Sequence, residues 1–205
     1  MIALAAITLS LQIARTTLDP LDGVNIEVAV HNTRSTPETV TFPQPQEYAI
    51  DVLRGTKVIF STLRPEPPGV TFPPHARTLP PGPSVLVVYI WNALADDGGA
   101  PGAGTYTVRA RLLGEHVEAQ AQTTIRFTEP TPVSALAKLK LGDEVTIAGR
   151  LDAGKTVLSD STGSITLGHR LSAAPDAPIC VRGYVTKRLD GSRGFYVERW
   201  APLEL

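Results

Sequence analysis

Along most of this chain apolar side chains return at every second position, a period that only extended strands can use. Ile7, Leu9, Leu11 and Ile13 alternate with Thr8, Ser10 and Gln12. Val24, Ile26, Val28 and Val30 alternate with Asn25, Glu27 and Ala29, and Tyr48, Ile50 and Val52 share one face of 48–53. Successive side chains of a strand point to opposite faces, so each run reads as a half-buried strand. Composition agrees: 18 Pro and 17 Gly in 205 residues suit short strands and turns and oppose long helices.

Further strands are expected at 39–42, 57–60, 106–112 and 117–127, with a hairpin turn at Leu113, Gly114 and Glu115. Residues 85–91 are apolar throughout, which predicts a strand buried on both faces. The proline-dense stretch 65–83 reads as a loop with edge pieces, and 96–104 as a Gly-rich loop. Strands at this spacing predict an antiparallel β-sandwich of immunoglobulin-like type.

Pro130 and Pro132 make a stiff connection, which sets the domain boundary: a sandwich over 1–129 and a second domain over 130–205. After a short helix or linker at 133–139, strands are expected at 144–149, 156–159, 164–167, 179–186 and 194–200. Five strands in so few residues predict a small closed barrel. Asp160 and Gly163 suit a tight turn, and Gly149 and Gly183 suit sharp bends in strands.

Met1 to Ala6 is apolar but has no Lys or Arg before Arg15, so the N-terminus is read as leading into the first strand and not as a signal peptide. No stretch approaches the length of a membrane span. The single cysteine, Cys180, precludes an intramolecular disulfide, and its neighbours Ile179 and Val181 mark it as a buried hydrophobe. This favours a reducing, cytoplasmic setting. A net charge of −1, with 19% charged residues, provides no electrostatic case for the whole chain to seek nucleic acid or an anionic membrane.

Gly149 to Thr156 satisfies GxxxxGK[ST], the spacing of a phosphate-cradling loop. That chemistry needs a helix N-terminus after the loop, whereas Val157 to Asp160 continues as a strand, so Gly154 is read as a hairpin turn. His31, His75, His116 and His169 have no metal-ligand spacing, and no nucleophile, cofactor or metal motif stands out. Asp96 and Asp97 lack the further carboxylates a calcium loop needs. A non-catalytic protein without a cofactor or metal is therefore expected.

An ordered set of pieces in the first domain resembles the intracellular proteinase inhibitor (BsuPI-type) family. The set comprises His31, Asn32 and Thr33, then Val40, Thr41 and Phe42, then Glu47 to Val52 and Val58 to Ser61, followed by Leu79, Pro80, Pro81 and Gly82, then Trp91, and Gly104 to Val108. The family usually has a Trp-containing strand where Ile59 and Phe60 stand here, and usually lacks so long a proline-rich insertion as 65–83. The resemblance implies a protein partner, with a protease as its class. The candidate contact residues are Pro67, Pro68 and Phe72 of the proline-rich stretch, together with Trp91, Asp96 and Asp97. Trp91 and Tyr106 are otherwise read as core aromatics of the sandwich.

The second domain is similar to the oligonucleotide/oligosaccharide-binding (OB) fold, through Val145 to Arg150, Leu158 to Leu167 and Val181 to Val185. That similarity implies an alternative role in binding single-stranded nucleic acid. Arg150, Arg182, Tyr184, Lys187, Arg188 and Arg193 would form the binding face, with Arg182 and Tyr184 on one side of a strand. The domain carries 10 Lys and Arg against 8 Asp and Glu over 133–205, a mild bias. A structural adaptor with neither activity is the third expectation.

Overall fold

The computed structural model describes residues 6–65 and 68–203. In chain order the strands are β1 (Ile7–Ile13), β2 (Thr17–Leu18), β3 (Val24–Asn32), β4 (Glu38–Phe42), β5 (Tyr48–Arg54) and β6 (Lys57–Ser61). There follow β7 (His75–Leu79), β8 (Gly82–Trp91), β9 (Gly104–Leu112) and β10 (Gln120–Phe127). A 3-10 helix (Val133–Lys138) then precedes β11 (Glu144–Leu151), β12 (Val157–Asp160), β13 (Gly163–Thr166), β14 (Pro178–Lys187) and β15 (Arg193–Pro202). The fold is all-β, as the two-residue period requires, and the strands pair almost entirely antiparallel.

The chain packs as two compact units. The first comprises Met1–Thr16, Val24–Trp91 and Thr105–Ile125; the second comprises Thr17–Gly23, Asn92–Gly104 and Arg126–Leu205. A single cut at 129/130 separates the two strand series, but it does not separate these units. Two short segments from within the first series pack into the second unit. Leu21 and Ala100 join Cys180 and Ala201 in one apolar cluster, and the Ala100 amide donates to the Pro202 carbonyl at 2.7 Å.

In the first unit, β1, β3 and β8 form one sheet in that order, and β10, β9, β5 and β6 follow one another in a second. Val24, Ile26, Val28 and Val30 of β3 are buried, as are Ile50 and Val52 of β5 and Val108 and Ala110 of β9. Phe60 of β6 meets Tyr89 and Trp91 of β8, with ring centroids 6.0 and 5.6 Å apart, which marks the sandwich interior. The proline-rich stretch contributes β7, which pairs with β4 as a two-stranded sheet. The turn expected at 113–115 is longer, because β10 begins only at Gln120.

Residues 85–91 depart from expectation. The strand is not buried on both faces: Val85, Val88 and Ile90 are 57%, 55% and 70% exposed. The cause is a β-bulge. Val28 faces Val87 and Ala29 faces Val85, which leaves Leu86 as an extra residue in β8. The bulge resets the alternation, so Val88 and Ile90 join Val85 outside while Trp91 turns in.

In the second unit the sheet order is β13-β12-β11-β14-β15. The closed barrel expected from the sequence is not formed. Among the described residues the two sheet ends meet through one parallel bridge, Leu167 to Phe195, beside the Gly168 amide that donates to the Phe195 carbonyl. β12 and β13 have four residues each, too few to run a ladder along the ten of β15. The core between them gathers Leu136, Ile147, Leu158, Val181 and Phe195. Asp160 behaves as the turn residue expected, accepting from the Thr162 and Gly163 amides, and its other oxygen accepts from Val133 at the start of the 3-10 helix.

Candidate functional site

The first unit carries its most unusual surface on β8. This strand ends the sheet β1-β3-β8, so its outer edge has no strand partner among the described residues. Buried or bound backbone amides and carbonyls seek hydrogen bonds, and an edge strand offers a row of them to another strand. Charged residues usually blunt such an edge, yet Gly82–Trp91 contains none. Pro83 and the bulge at Leu86 are its two interruptions.

The neighbouring register shows how narrow the apolar stripe is. Val85, Val88 and Ile90 lie opposite Ala29, Glu27 and Asn25 of β3, and Ala29 and Glu27 lie opposite Ser10 and Gln12 of β1. Thr8, Ser10 and Gln12 are exposed, so the outer face is polar on β1 and aliphatic on the rim formed by β8. Three large aliphatic side chains on one free edge make a continuous surface that water solvates poorly. At the end of the same strand Trp91 turns inward and is fully buried. The edge is thus a preformed template for an extended backbone with apolar side chains.

No protein-family model and no curated protein matches this chain. Solved structures align with this chain at 11–16% identity. A cycloisomaltooligosaccharide glucanotransferase from Paenibacillus sp. aligns at 16% identity and a TM-score of 0.37, covering 58% of this chain and 13% of the enzyme. A β-glucosidase, EmGH1 from Erythrobacter marinus, aligns at 14% and 0.36, covering 60% and 15%. The chain therefore spans a small part of the length of either enzyme. The sporulation control protein Spo0M from Bacillus subtilis aligns at 11% identity and 0.43, covering 95% of this chain and 85% of its own.

The candidate contact residues read from the sequence are dispersed. Pro67 lies outside the described residues. Pro68 is exposed and Phe72 half-buried. Trp91 is sealed inside the sandwich and cannot reach a partner, so the core reading of that residue holds. Asp96 and Asp97 are exposed but belong to the second unit, where the Asp97 carboxylate accepts from the Gly99 amide at 2.8 Å and acts as a turn residue. The stripe on β8 escaped sequence reading because a bulge leaves no residue signature.

The basic residues of the second unit are mostly engaged within it. Arg182 pairs with Asp22 at 2.5 Å and with Glu144 at 2.6 Å. Burial alone would lower its pKa, but the Glu144 hydrogen bond and the charges of Asp22 and Glu144 raise it, so the guanidinium is held charged. Arg182 and Tyr184 do share a face of β14, beside Thr146 and Glu144 of β11, but the Tyr184 hydroxyl donates to Glu198. Arg150 donates to the Asp176 carbonyl, and Arg193 donates to the Leu136 and Leu139 carbonyls at 3.0 and 2.7 Å. Arg150, Lys187, Arg188 and Arg193 are all exposed, and Arg182 and Tyr184 are half-buried. Four of the six, Arg150, Arg182, Tyr184 and Arg193, thus hydrogen-bond within the unit.

The phosphate-loop pattern folds as a hairpin turn. Gly149 lies within β11, where an added Cβ would sit 2.4 Å from the Ser159 carbonyl oxygen. The loop amides of Gly154, Thr156 and Val157 all donate to the Asp152 carboxylate, at 3.2, 2.9 and 2.8 Å. The chain's own carboxylate thus takes the place a phosphate would need. Among the described residues no group of three or more His, Cys, Asp or Glu is arranged to hold a metal, and no helix is long and apolar enough to cross a membrane.

Proposed function

We propose that this chain is a non-catalytic binding protein that engages a protein partner along the free edge of β8. The observation that carries the reading is the exposure of Val85, Val88 and Ile90 on an uncharged edge strand. The partner supplies an extended segment without charges at the facing positions. A charge placed there would lose water and meet no counter-ion, whereas apolar side chains gain by covering the stripe. The resemblance of the first domain to intracellular proteinase inhibitors supports a protease as the partner, and a subtilisin-like serine protease serves as the probe. The contact surface is then the sheet rim, in place of the loops singled out from the sequence.

The test is calorimetric titration of the full chain with subtilisin whose active serine has been chemically blocked. Saturable binding in the micromolar range is expected. The double substitution Val88→Lys with Ile90→Lys should weaken it by at least about tenfold, since each covered aliphatic side chain contributes about 1.5–3 kcal/mol. Absence of binding, or binding indifferent to the double substitution, overturns the reading. Sedimentation of the chain alone closes the remaining route. A dimer that the same substitutions dissolve would put a second copy on β8 and also overturn the protease reading.

A further inference from the structure

A second surface, in the other unit, has a different chemistry and does not depend on the reading above. Between the end of β13 and the turn joining β14 to β15 lies an open groove of about 480 Å³. Its walls include Thr166 and Gly168 on one side and Lys187, Arg188 and Leu189 on the other, with Tyr196 of β15 beside them. The volume falls within the range of small-molecule sites, about 300–1,000 Å³.

Local sequence explains why this place is open. β13 stops at Thr166, and Gly168 follows, where an added Cβ would lie 3.6 Å from the Tyr196 ring. Across the groove, Gly194 has no side chain, and the stem of Arg188 lies over it, 2.9 Å from where a Cβ would stand. Two glycines therefore keep the floor low. Tyr196 is 54% exposed, and His169 meets its ring at 66° with centroids 6.1 Å apart, so the two rings are not stacked. Leu189 stands fully exposed at the tip of the turn.

The charges point the same way. Lys187 and Arg188 are exposed, and the Ser192 hydrogen bonds, helped by the Arg188 charge, hold the nearby Asp190 carboxyl below its usual range. Asp190 is the carboxylate lining the groove, and both the amide and the hydroxyl of Ser192 donate to its Oδ1. An exposed tyrosine ring within a shallow groove, with two exposed cations at the rim, matches a planar ring that carries phosphate: the ring stacks and the phosphate meets the cations. We propose that this groove binds a nucleotide, with the base against Tyr196 and the phosphate held by Lys187 and Arg188.

The nucleotide can be free or part of a single strand, and one experiment separates the two. The full chain is titrated with AMP by calorimetry, and with a fluorescein-labelled single-stranded DNA of about 12 nucleotides by anisotropy. Saturable binding of at least one probe is expected, and it should weaken as salt rises. Tyr196→Ala should reduce affinity about tenfold or more, Tyr196→Phe should keep it, and Lys187→Glu with Arg188→Glu should abolish it. All three positions are exposed, and thermal unfolding confirms that each variant is folded. Binding of AMP as tight as that of DNA identifies free nucleotide as the source, and much tighter DNA binding identifies a strand. Binding of neither probe overturns the proposal. So does DNA binding that responds to the two cations but not to Tyr196→Ala, because that is non-specific attraction to phosphate.

Discussion

Asp22, on the short segment before β3, forms an ion pair with Arg182 of β14 at 2.5 Å, and both side chains are largely out of water. The Thr146 hydroxyl donates to the Pro20 carbonyl two residues away, so this pairing fixes residues 17–23 to the sheet of the second unit. Arg182 thereby serves the fold. Arg182→Ala should lower stability by about 3 kcal/mol, since it removes the cation that the buried Asp22 carboxylate pairs with, and urea unfolding measures this. A double-mutant cycle with Asp22→Ala should show clear coupling between the two positions. Retention on a polyanion column should respond to Lys187 and Arg188 and remain unchanged for a folded Arg182 variant.

Gly183 makes the closest approach in the second unit. A Cβ there would fall 1.9 Å from the Tyr196 carbonyl oxygen, at the point where the register between β14 and β15 shifts. The obstacle is backbone, which cannot rotate away as a side chain would. Gly183→Ala should therefore cost about 3 kcal/mol in a denaturant melt. Gly163→Ala is the control, because its Cβ would meet only ordinary contacts, 3.7 Å from Val133 and beyond. Equal stability of the two variants would show that the strands can separate there without cost.

Strand identity was legible because alternation is local: Val24 to Val30 announces its buried face within seven residues, and that face is the one buried. The glycines at 149 and 183 were legible as special positions for the same reason, although each proves to be a close approach between strands. The exposure of Ile90 was not. An apolar run looks alike whether both faces are covered or a bulge at Leu86 turns alternate residues outward, and the bulge depends on the pairing with β3. The fate of Arg182 was equally hidden, because Asp22 stands far away in sequence and nothing near either residue marks the pair. The edge of the barrel failed to close because strand length, read only approximately from pattern, decides whether β13 can reach along β15.

Asp51 ties acid stability to the first unit. Its carboxylate is almost fully buried on β5 and accepts from Ser61 at 2.7 Å and from Arg109 and Arg111 at 2.9 and 3.0 Å. Burial by itself would push its pKa up, but the hydrogen bonds from Ser61 and Arg109 and the two arginine charges outweigh it and hold the carboxyl below its usual range. A folded value below the unfolded one, near 3.9, means stability that is present above that unfolded value and is lost as pH falls through the folded one. Unfolding should thus become easier on acidification below about pH 4, as a urea series at stepped pH would show. Asp51→Asn should be less stable at neutral pH by about 1–3 kcal/mol and should show a flatter acid dependence. A variant with the parent's acid slope would remove Asp51 from that role.

Cys180 tests the packing of the second unit by chemistry alone. The thiol is fully buried on β14 beside Leu21, Ala100 and Ala201, and burial pushes its pKa up to about 12. The thiolate is the reactive form, so at pH 8 only about one molecule in ten thousand carries it, and the reagent has no route to the sulfur. Ellman's reagent should therefore label the native chain on the timescale of unfolding and label the urea-unfolded chain at once. Ala100→Asp places a charge in the same cluster, where Ala100 is fully buried, and should open it enough to make labelling fast under native conditions. Rapid stoichiometric labelling of the unaltered protein would mean that residues 92–104 do not cover Cys180 as the structure has it. The assignment of that segment to the second unit would then fall with it.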